Sequence, residues 1–224
     1  MSDLPRCRRP GWDEIDRWAA AVADKVARAD AIPETIVGLT RGGWVPARLL
    51  ADRLGVMRLV SLRAQHWGVT AMPDGAATLT EGLSGTVDGQ AVLIVDDITD
   101  TGESLALAAR HVLAAGPAHV ETATLLHIGR STFVPTYFAE EIPRDAWTWV
   151  VFPWNYWEDL RSLASRAAAQ TPGIDAVRRT LLERCGLDVP RDDLVRVAKR
   201  VWLGGDPVSP TTSGATGSRP ARPP

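Results

Sequence analysis

The sequence predicts an α/β fold, a mostly parallel sheet flanked by helices. Short apolar runs recur along the chain as TIVGLT (35–40), MRLVSL (57–62), AVLIVD (91–96) and HVETATLLHI (119–128). Strands covered on both faces read as continuous apolar runs rather than alternating ones. Segments with helical spacing stand between several of these runs, and strand–helix repetition implies parallel pairing. The 224 residues are 45% apolar, so the chain can bury a sizeable core. That length suits one domain with additions.

The elements follow in order. Trp12, Ile15, Trp18, Ala19, Val22 and Val26 recur at helical spacing, which predicts an amphipathic helix over 12–29. Pro33 precedes the first strand, 35–40. RGGWVPARLLADRLGV opens on a glycine pair and continues as a helix, followed by the strand 57–62. Residues 63–86 are polar, carry Gly68, Gly75, Gly82 and Gly85, and lack a period. A loop this long in a compact domain is usually functional or mobile, so it is the expected lid, with His66 and Trp67 inside it. Residues 91–96 form the strongest buried strand. A helix over 102–115 stops at Gly116-Pro117. The strand 119–128 comes next, and WTWVVF (147–152) reads as another, cut by Pro153. Residues 157–203 read as helical, with breaks near Pro172-Gly173 and Pro190. The last residues, GDPVSPTTSGATGSRPARPP, have the composition of a disordered tail.

Composition excludes several classes. Formal net charge is −2 and the isoelectric point is about 6.1. Non-specific nucleic-acid binding needs a basic surface, so no nucleic-acid partner is expected. Residues 176–200 hold several arginines, but interspersed acids read as a solvated helical face rather than a DNA-binding one. No apolar run reaches the ~20 residues of a membrane span, and the N-terminus lacks the apolar stretch of a signal peptide. Cys7 and Cys185 have no metal-ligand spacing and read as free thiols of a reducing cytoplasm. Nine tryptophans stand against three phenylalanines, and four of the nine lie between Trp147 and Trp157. That cluster is a packed corner or a flat surface for a ring.

Two loops carry the chemistry. Both follow apolar strands, and ligands of open α/β sheets sit at the carboxyl ends of strands. The first is Thr40-Arg41-Gly42-Gly43. Its glycines let backbone N–H groups approach an anion before a helix start, and Arg41 adds a bidentate phosphate donor. A tight strand-to-helix turn would read the same way. The second is VLIVDDITDTGES (92–104). Asp100, Thr101, Gly102, Glu103 and Ser104 sit where a helix begins, and their N–H groups and hydroxyls could cradle a phosphate. Asp96 and Asp97 would repel a phosphate. They can accept from a sugar diol, or face Mg²⁺ through water or the ribose. A phosphorylated ribose suits both halves of the loop.

VLIVDDITDTGES resembles the 5-phosphoribosyl 1-pyrophosphate (PRPP) signature of type I phosphoribosyltransferases, and TRGG is similar to that family's pyrophosphate loop. LRAQHWGVTAMPDGAATLTEGLSG and YFAEEIPRDAWTWVVFPW resemble the 6-oxopurine branch, the xanthine–guanine and hypoxanthine enzymes. The resemblance covers about residues 12 to 160. It implies the type I fold, with a small hood and, beyond it, a C-terminal helical extension. The domains expected are a phosphoribosyltransferase domain (1–160), the extension (161–204) and the tail (205–224).

By this resemblance Asp96 and Asp97 bind the ribose hydroxyls and hold the metal. Asp100, Thr101, Gly102, Glu103 and Ser104 bind the 5′-phosphate. Thr40, Arg41, Gly42 and Gly43 bind pyrophosphate, with a cis peptide between Arg41 and Gly42. Asp100 exchanges a proton with the purine, and Arg41 is the other residue counted as catalytic. Trp149 stacks on the base, and the Val150 backbone reads its polar edge. The activity implied is transfer of phosphoribosyl from PRPP to guanine, xanthine or hypoxanthine, with Mg²⁺, in a homodimer or larger assembly. One departure stands out. Relatives carry a lysine after the strand matching TATLLH, whereas here the stretch is Leu126-His127-Ile128-Gly129-Arg130. His127 or Arg130 could contact the base oxygen instead, or the pocket serves another base. Asn155 also replaces the usual acid. A regulator that binds PRPP or nucleotides without turnover is the alternative class. Retention of Arg41, Gly42, Gly43 and Trp149 favours the enzyme.

Overall fold

The computed structural model describes residues 4–66 and 77–201. The chain runs through β1 (Cys7–Arg8), α1 (Trp12–Arg28), β2 (Thr35–Thr40), α2 (Trp44–Leu54), β3 (Arg58–His66), β4 (Ala77–Glu81) and β5 (Ala91–Thr99). It continues through α3 (Glu103–Leu113), β6 (His119–Ile128), β7 (Tyr137–Ile142), β8 (Trp149–Val150), α4 (Tyr156–Ala168), α5 (Ile174–Thr180) and α6 (Arg191–Val201). A single π-turn, Leu181–Cys185, follows α5.

Six strands form the main sheet in the order β4-β3-β2-β5-β6-β7. All neighbours are parallel except β3 and β4. The apolar runs explain the two-sided burial. From β5, Leu93 and Val95 join Val22, Val26, Leu50 and Ala51 of α1 and α2. Val92 and Ile94 join Leu105, Ala108 and Val112 of α3 on the opposite face. A third cluster sits at the carboxyl ends of the strands, where Ile15 and Trp18 meet Leu126, Ile128, Ile142, Val150 and Phe152.

Three elements differ from expectation. The region 63–86 is partly strand, because β3 runs on to His66 and pairs antiparallel with β4. An edge strand needs no apolar run, so polar ATLTE gave no strand signal. Trp67 lies outside the described residues, as does the tail 205–224. WTWVVF is not a full strand. Only Trp149 and Val150 pair, in a separate two-stranded parallel sheet with Cys7 and Arg8. β7, YFAEEI, is the sixth sheet strand, and its acidic residues masked it. Glu140 accepts from Arg8 Nη1 at 2.5 Å and from Trp18 Nε1 at 3.1 Å. The Arg8 hydrogen bond holds the Glu140 carboxyl below the usual carboxylate range.

The C-terminal helices form a core of their own. Leu160, Leu163 and Ala167 of α4 pack with Val177, Leu181, Leu187, Leu194 and Val197, and with Leu4 and Val151 from earlier in the chain. Cys7 packs on this cluster, where Cys185 is buried, and both thiols are free. Cys7 Sγ donates to the Pro5 carbonyl at 3.5 Å, and the proximity of the two thiols raises the Cys7 pKa and lowers that of Cys185.

Candidate active site

The two loops predicted to act together meet at the carboxyl ends of β2 and β5, which are adjacent strands. A Cβ at Gly43 would lie 2.5 Å from the Val95 carbonyl oxygen and 2.7 Å from Asp96 Cα. A Cβ at Gly42 would lie 2.2 Å from Asp97 Oδ2. Only glycine lets the TRGG backbone reach the acidic loop this closely. The cis peptide of this loop is Thr40–Arg41, one bond earlier than expected. Thr40 Oγ1 donates to the Leu62 carbonyl at 3.3 Å. Arg41 is exposed and pairs with Glu158 on the first turn of α4.

Asp96 and Asp97 share one crowded position. Asp96 Oδ1 accepts from the Asp97 N–H at 2.9 Å, and the nearby Gly43 N–H also favours its ionised form. Burial, then the charge of Asp97, pushes the Asp96 carboxyl well above the ordinary carboxylate range. Burial also raises Asp97, opposed chiefly by the Trp154 N–H. Trp154 Nε1 donates to Asp97 Oδ2 at 2.9 Å. Two crowded carboxyls with no cationic side chain on them among the described residues would be relieved by an added cation. Among the described residues no group of three or more metal-ligating side chains could hold a metal alone. Asp96 and Asp97 are the carboxylates that could hold a hard cation together with oxygens of a bound substrate.

The second half of that loop, Asp100 to Ser104, is a tight turn into α3. Gly102 has φ +87°, and a Cβ there would lie 2.5 Å from Ser131 Oγ and 2.6 Å from Phe133 Cβ. The segment after β6 thus seals one side of the turn. Thr132 donates from N and Oγ1 to the Thr101 carbonyl, both at 3.1 Å. Thr101 Oγ1 accepts from the Glu103 N–H at 3.4 Å, and Ser104 follows in the first turn of α3.

Asp100 is held by Arg130. Nε donates to Oδ1 at 2.7 Å and Nη2 to Oδ2 at 2.8 Å, a bidentate fork. The Arg130 guanidinium also lies over the Trp147 ring, 4.7 Å from its centroid. Its Nη1 makes no hydrogen bond among the described residues. Trp147, which the sequence reading left unassigned, is therefore the ring on the Asp100 side. Trp149, expected to stack on the base, packs against the α4–α6 cluster. Val150 is buried at the strand ends, its carboxyl-side neighbour bonding through N–H to the Arg8 carbonyl at 2.8 Å. His127 is buried, with its ring 5.0 Å from Phe138 and Nδ1 without a hydrogen bond. Desolvation lowers its pKa, against the pull of Glu141.

Asp159 was missed altogether. It is 3% exposed, with Oδ2 unbonded. Burial pushes its carboxyl up to about 7, helped by the charges of Glu158 and Asp97. The Trp149 N–H favours its ionised form without reaching normal hydrogen-bond geometry. Asp159, at the start of α4, thus lies within electrostatic reach of Asp97. No sequence signal marks it, because an acid in the first turn of a helix is ordinary.

Residues 9–159 match the phosphoribosyl transferase domain family. The chain belongs to that family. Its likeness lies with the 6-oxopurine branch of the type I phosphoribosyltransferases. A xanthine-guanine phosphoribosyltransferase of Cereibacter sphaeroides is 33% identical over 150 residues, which span 64% of this chain and 84% of the relative. The corresponding protein of Desulfotalea psychrophila is 30% identical, over 69% of this chain and 91% of its own. A solved purine phosphoribosyltransferase from Pyrococcus horikoshii superposes with a TM-score of 0.57 at 28% identity, covering 66% of this phosphoribosyltransferase-family chain and 93% of the other.

Proposed function

We propose that this enzyme transfers the 5-phosphoribosyl group from PRPP to a 6-oxopurine, guanine, xanthine or hypoxanthine. The products are a nucleoside monophosphate and pyrophosphate, as in purine salvage. The observation that carries the reading is the contact of Gly42 and Gly43 with Asp96 and Asp97. It sets an anion-binding loop against two acids suited to a sugar diol. One substrate that presents pyrophosphate and a ribose diol side by side would span both.

The residues then divide the work. Thr40, Arg41, Gly42 and Gly43 receive the pyrophosphate. Arg41 must leave Glu158 to reach it. Asp96 and Asp97 accept from the ribose hydroxyls, and the turn Asp100 to Ser104 receives the 5′-phosphate at the start of α3. A ring nitrogen of the base bonds to C1′ as the C1′–O bond to pyrophosphate breaks. The positive charge that develops on the sugar is stabilised by the neighbouring carboxylates. Asp100 takes the proton that the base loses. Mg²⁺, held through Asp96, Asp97 and substrate oxygens, would neutralise charge on the departing pyrophosphate.

For the base, the ring beside Asp100 is Trp147, so we assign stacking there and give Trp149 the wall next to α4. Val150 and His127 remain the nearest backbone and side-chain candidates for the polar edge. Arg130 supplies the cationic donor that a lysine supplies in relatives. Arginine offers no acceptor, so a 6-oxygen fits and a 6-amino group does not. This substitution is also what favours a second reading, a phosphoribosyltransferase for a different base. We further assign residues 1–160 as the catalytic domain and 161–204 as its helical extension. The working form is a cytoplasmic homodimer or larger assembly. No described helix is long and apolar enough to cross a membrane.

The test is to incubate the purified protein with PRPP, Mg²⁺ and a panel of nucleobases, and to follow pyrophosphate release and new monophosphates by mass spectrometry. Turnover with guanine, xanthine or hypoxanthine but not adenine is expected. Turnover only with another base moves the protein to the second reading. Tight PRPP binding with no turnover on any base makes it a regulator.

A further inference from the structure

Trp154 has no part in the division of work above, yet it touches the centre of the site. Its Nε1 donates to Asp97 Oδ2 at 2.9 Å. Phe152 lies parallel behind the indole, with ring centroids 4.8 Å apart and planes 10° apart. Phe152 is fully buried, so it gives Trp154 a fixed backing. Trp12 meets the indole at a centroid distance of 5.9 Å. The ring is therefore clamped, and its N–H has one direction to point.

Asp97 is equally confined. It is 7% exposed, and the Gly42 backbone runs so close to the oxygen that Trp154 holds that any side chain there would collide with it. With Oδ2 enclosed by the indole and the glycine, the remaining lone pairs are left for Asp96 and for a ligand. A carboxylate free to rotate would present either oxygen, or neither, to a ribose hydroxyl. An oriented donor removes that freedom before substrate arrives, which is how supporting residues contribute to binding.

We propose that Trp154 is a positioning residue for PRPP, acting through Asp97 and not through the base. This rests on the reading of Asp97 as the ribose acceptor. It separates two roles within one tryptophan cluster: Trp147 faces the base side, and Trp154 sets the sugar side.

The experiment is a double-mutant cycle on PRPP binding, measured by calorimetry in Mg²⁺ buffer without base. Wild type, Trp154→Phe, Asp97→Asn and the double variant are compared. Phenylalanine keeps an aromatic ring on Phe152 and removes the N–H. Loss of a hydrogen bond to a charged group should weaken PRPP about tenfold or more. In the Asp97→Asn background the same change should cost little further, because the group it acts through is already altered. Trp154→His, which restores an N–H donor, should recover part of the loss, and it carries the cycle should the phenylalanine variant melt. The Michaelis constant for the base should stay unchanged. Full additivity in the double variant overturns the proposal, as does a raised base Michaelis constant with PRPP binding intact. Wild-type protein that binds no PRPP overturns the functional reading itself, and the positioning role falls with it.

Discussion

Trp147 and Trp149 stand two residues apart and face different neighbours. Trp147 lies under the Arg130 guanidinium beside Asp100. Trp149 packs on the C-terminal helices. Base–aromatic stacking is worth ~1–3 kcal/mol, or roughly 5- to 150-fold in affinity. Trp147→Ala should therefore raise the Michaelis constant for the base by that factor and leave the constant for PRPP nearly unchanged. Trp149→Ala should instead lower the melting temperature, because it removes packing from the α4–α6 core. Steady-state kinetics and thermal melts on the two variants decide, and an unchanged base constant in Trp147→Ala removes it from the pocket. That the acids and glycines of the two loops come together was legible in the sequence, because each residue type has a single strong reason to stand there. The packing of the tryptophans was not. Which of four neighbouring rings meets the ligand depends on a short segment whose strand ends after Val150, and an apolar run carries no mark of that.

At the scale of elements, α4 does more than follow the catalytic domain. Its first turn puts Glu158 on Arg41 and the buried Asp159 within electrostatic reach of Asp97. The buried Asp159 carboxyl has a pKa of about 7 when folded, against about 3.9 in an unfolded chain. Below pH 4 both states are protonated and the folded state loses nothing. As pH rises from there to 7 the unfolded chain ionises while the folded carboxyl stays neutral, so stability falls, and it levels off above 7. Three pKa units correspond to about 4 kcal/mol at most. Asp159→Asn carries no proton to lose. Urea unfolding at pH 5 and pH 8 should show its advantage over wild type growing by about 2–3 kcal/mol between the two. Parallel pH dependence in both proteins would mean that Asp159 ionises freely. The strands that sequence reading found are those buried on both faces, β2, β3, β5 and β6. Those it missed, β4, β7 and the short β1, and the one it drew too long, β8, lie at the sheet edge or outside the main sheet, where polar or acidic residues are tolerated and an apolar run is not required.

At the scale of the molecule, the family match ends at residue 159, but the packing does not. Leu160, Leu163, Ala164 and Ala167 of α4 are buried against Val177, Leu181, Leu187, Leu194 and Val197, none of which belongs to the matched segment. The same cluster holds Leu4 and Val151, which lie on either side of the β1–β8 pair. The extension therefore backs the short sheet that carries Trp149 and Val150, and it packs on the helix whose first turn places Glu158 on Arg41 of the TRGG loop. A chain ended at residue 173 would expose the apolar face of α4. It would lose the burial of five large aliphatic side chains, each worth about 1.5–3 kcal/mol. Against a typical stability of 5–15 kcal/mol that is enough to abolish folding or drive association. The truncated protein should be insoluble or melt far below the full chain, and PRPP binding should be lost with it. A truncated chain that melts with the full one and binds PRPP equally well would show that α5 and α6 fold as an independent unit, and that the catalytic domain ends where its relatives do.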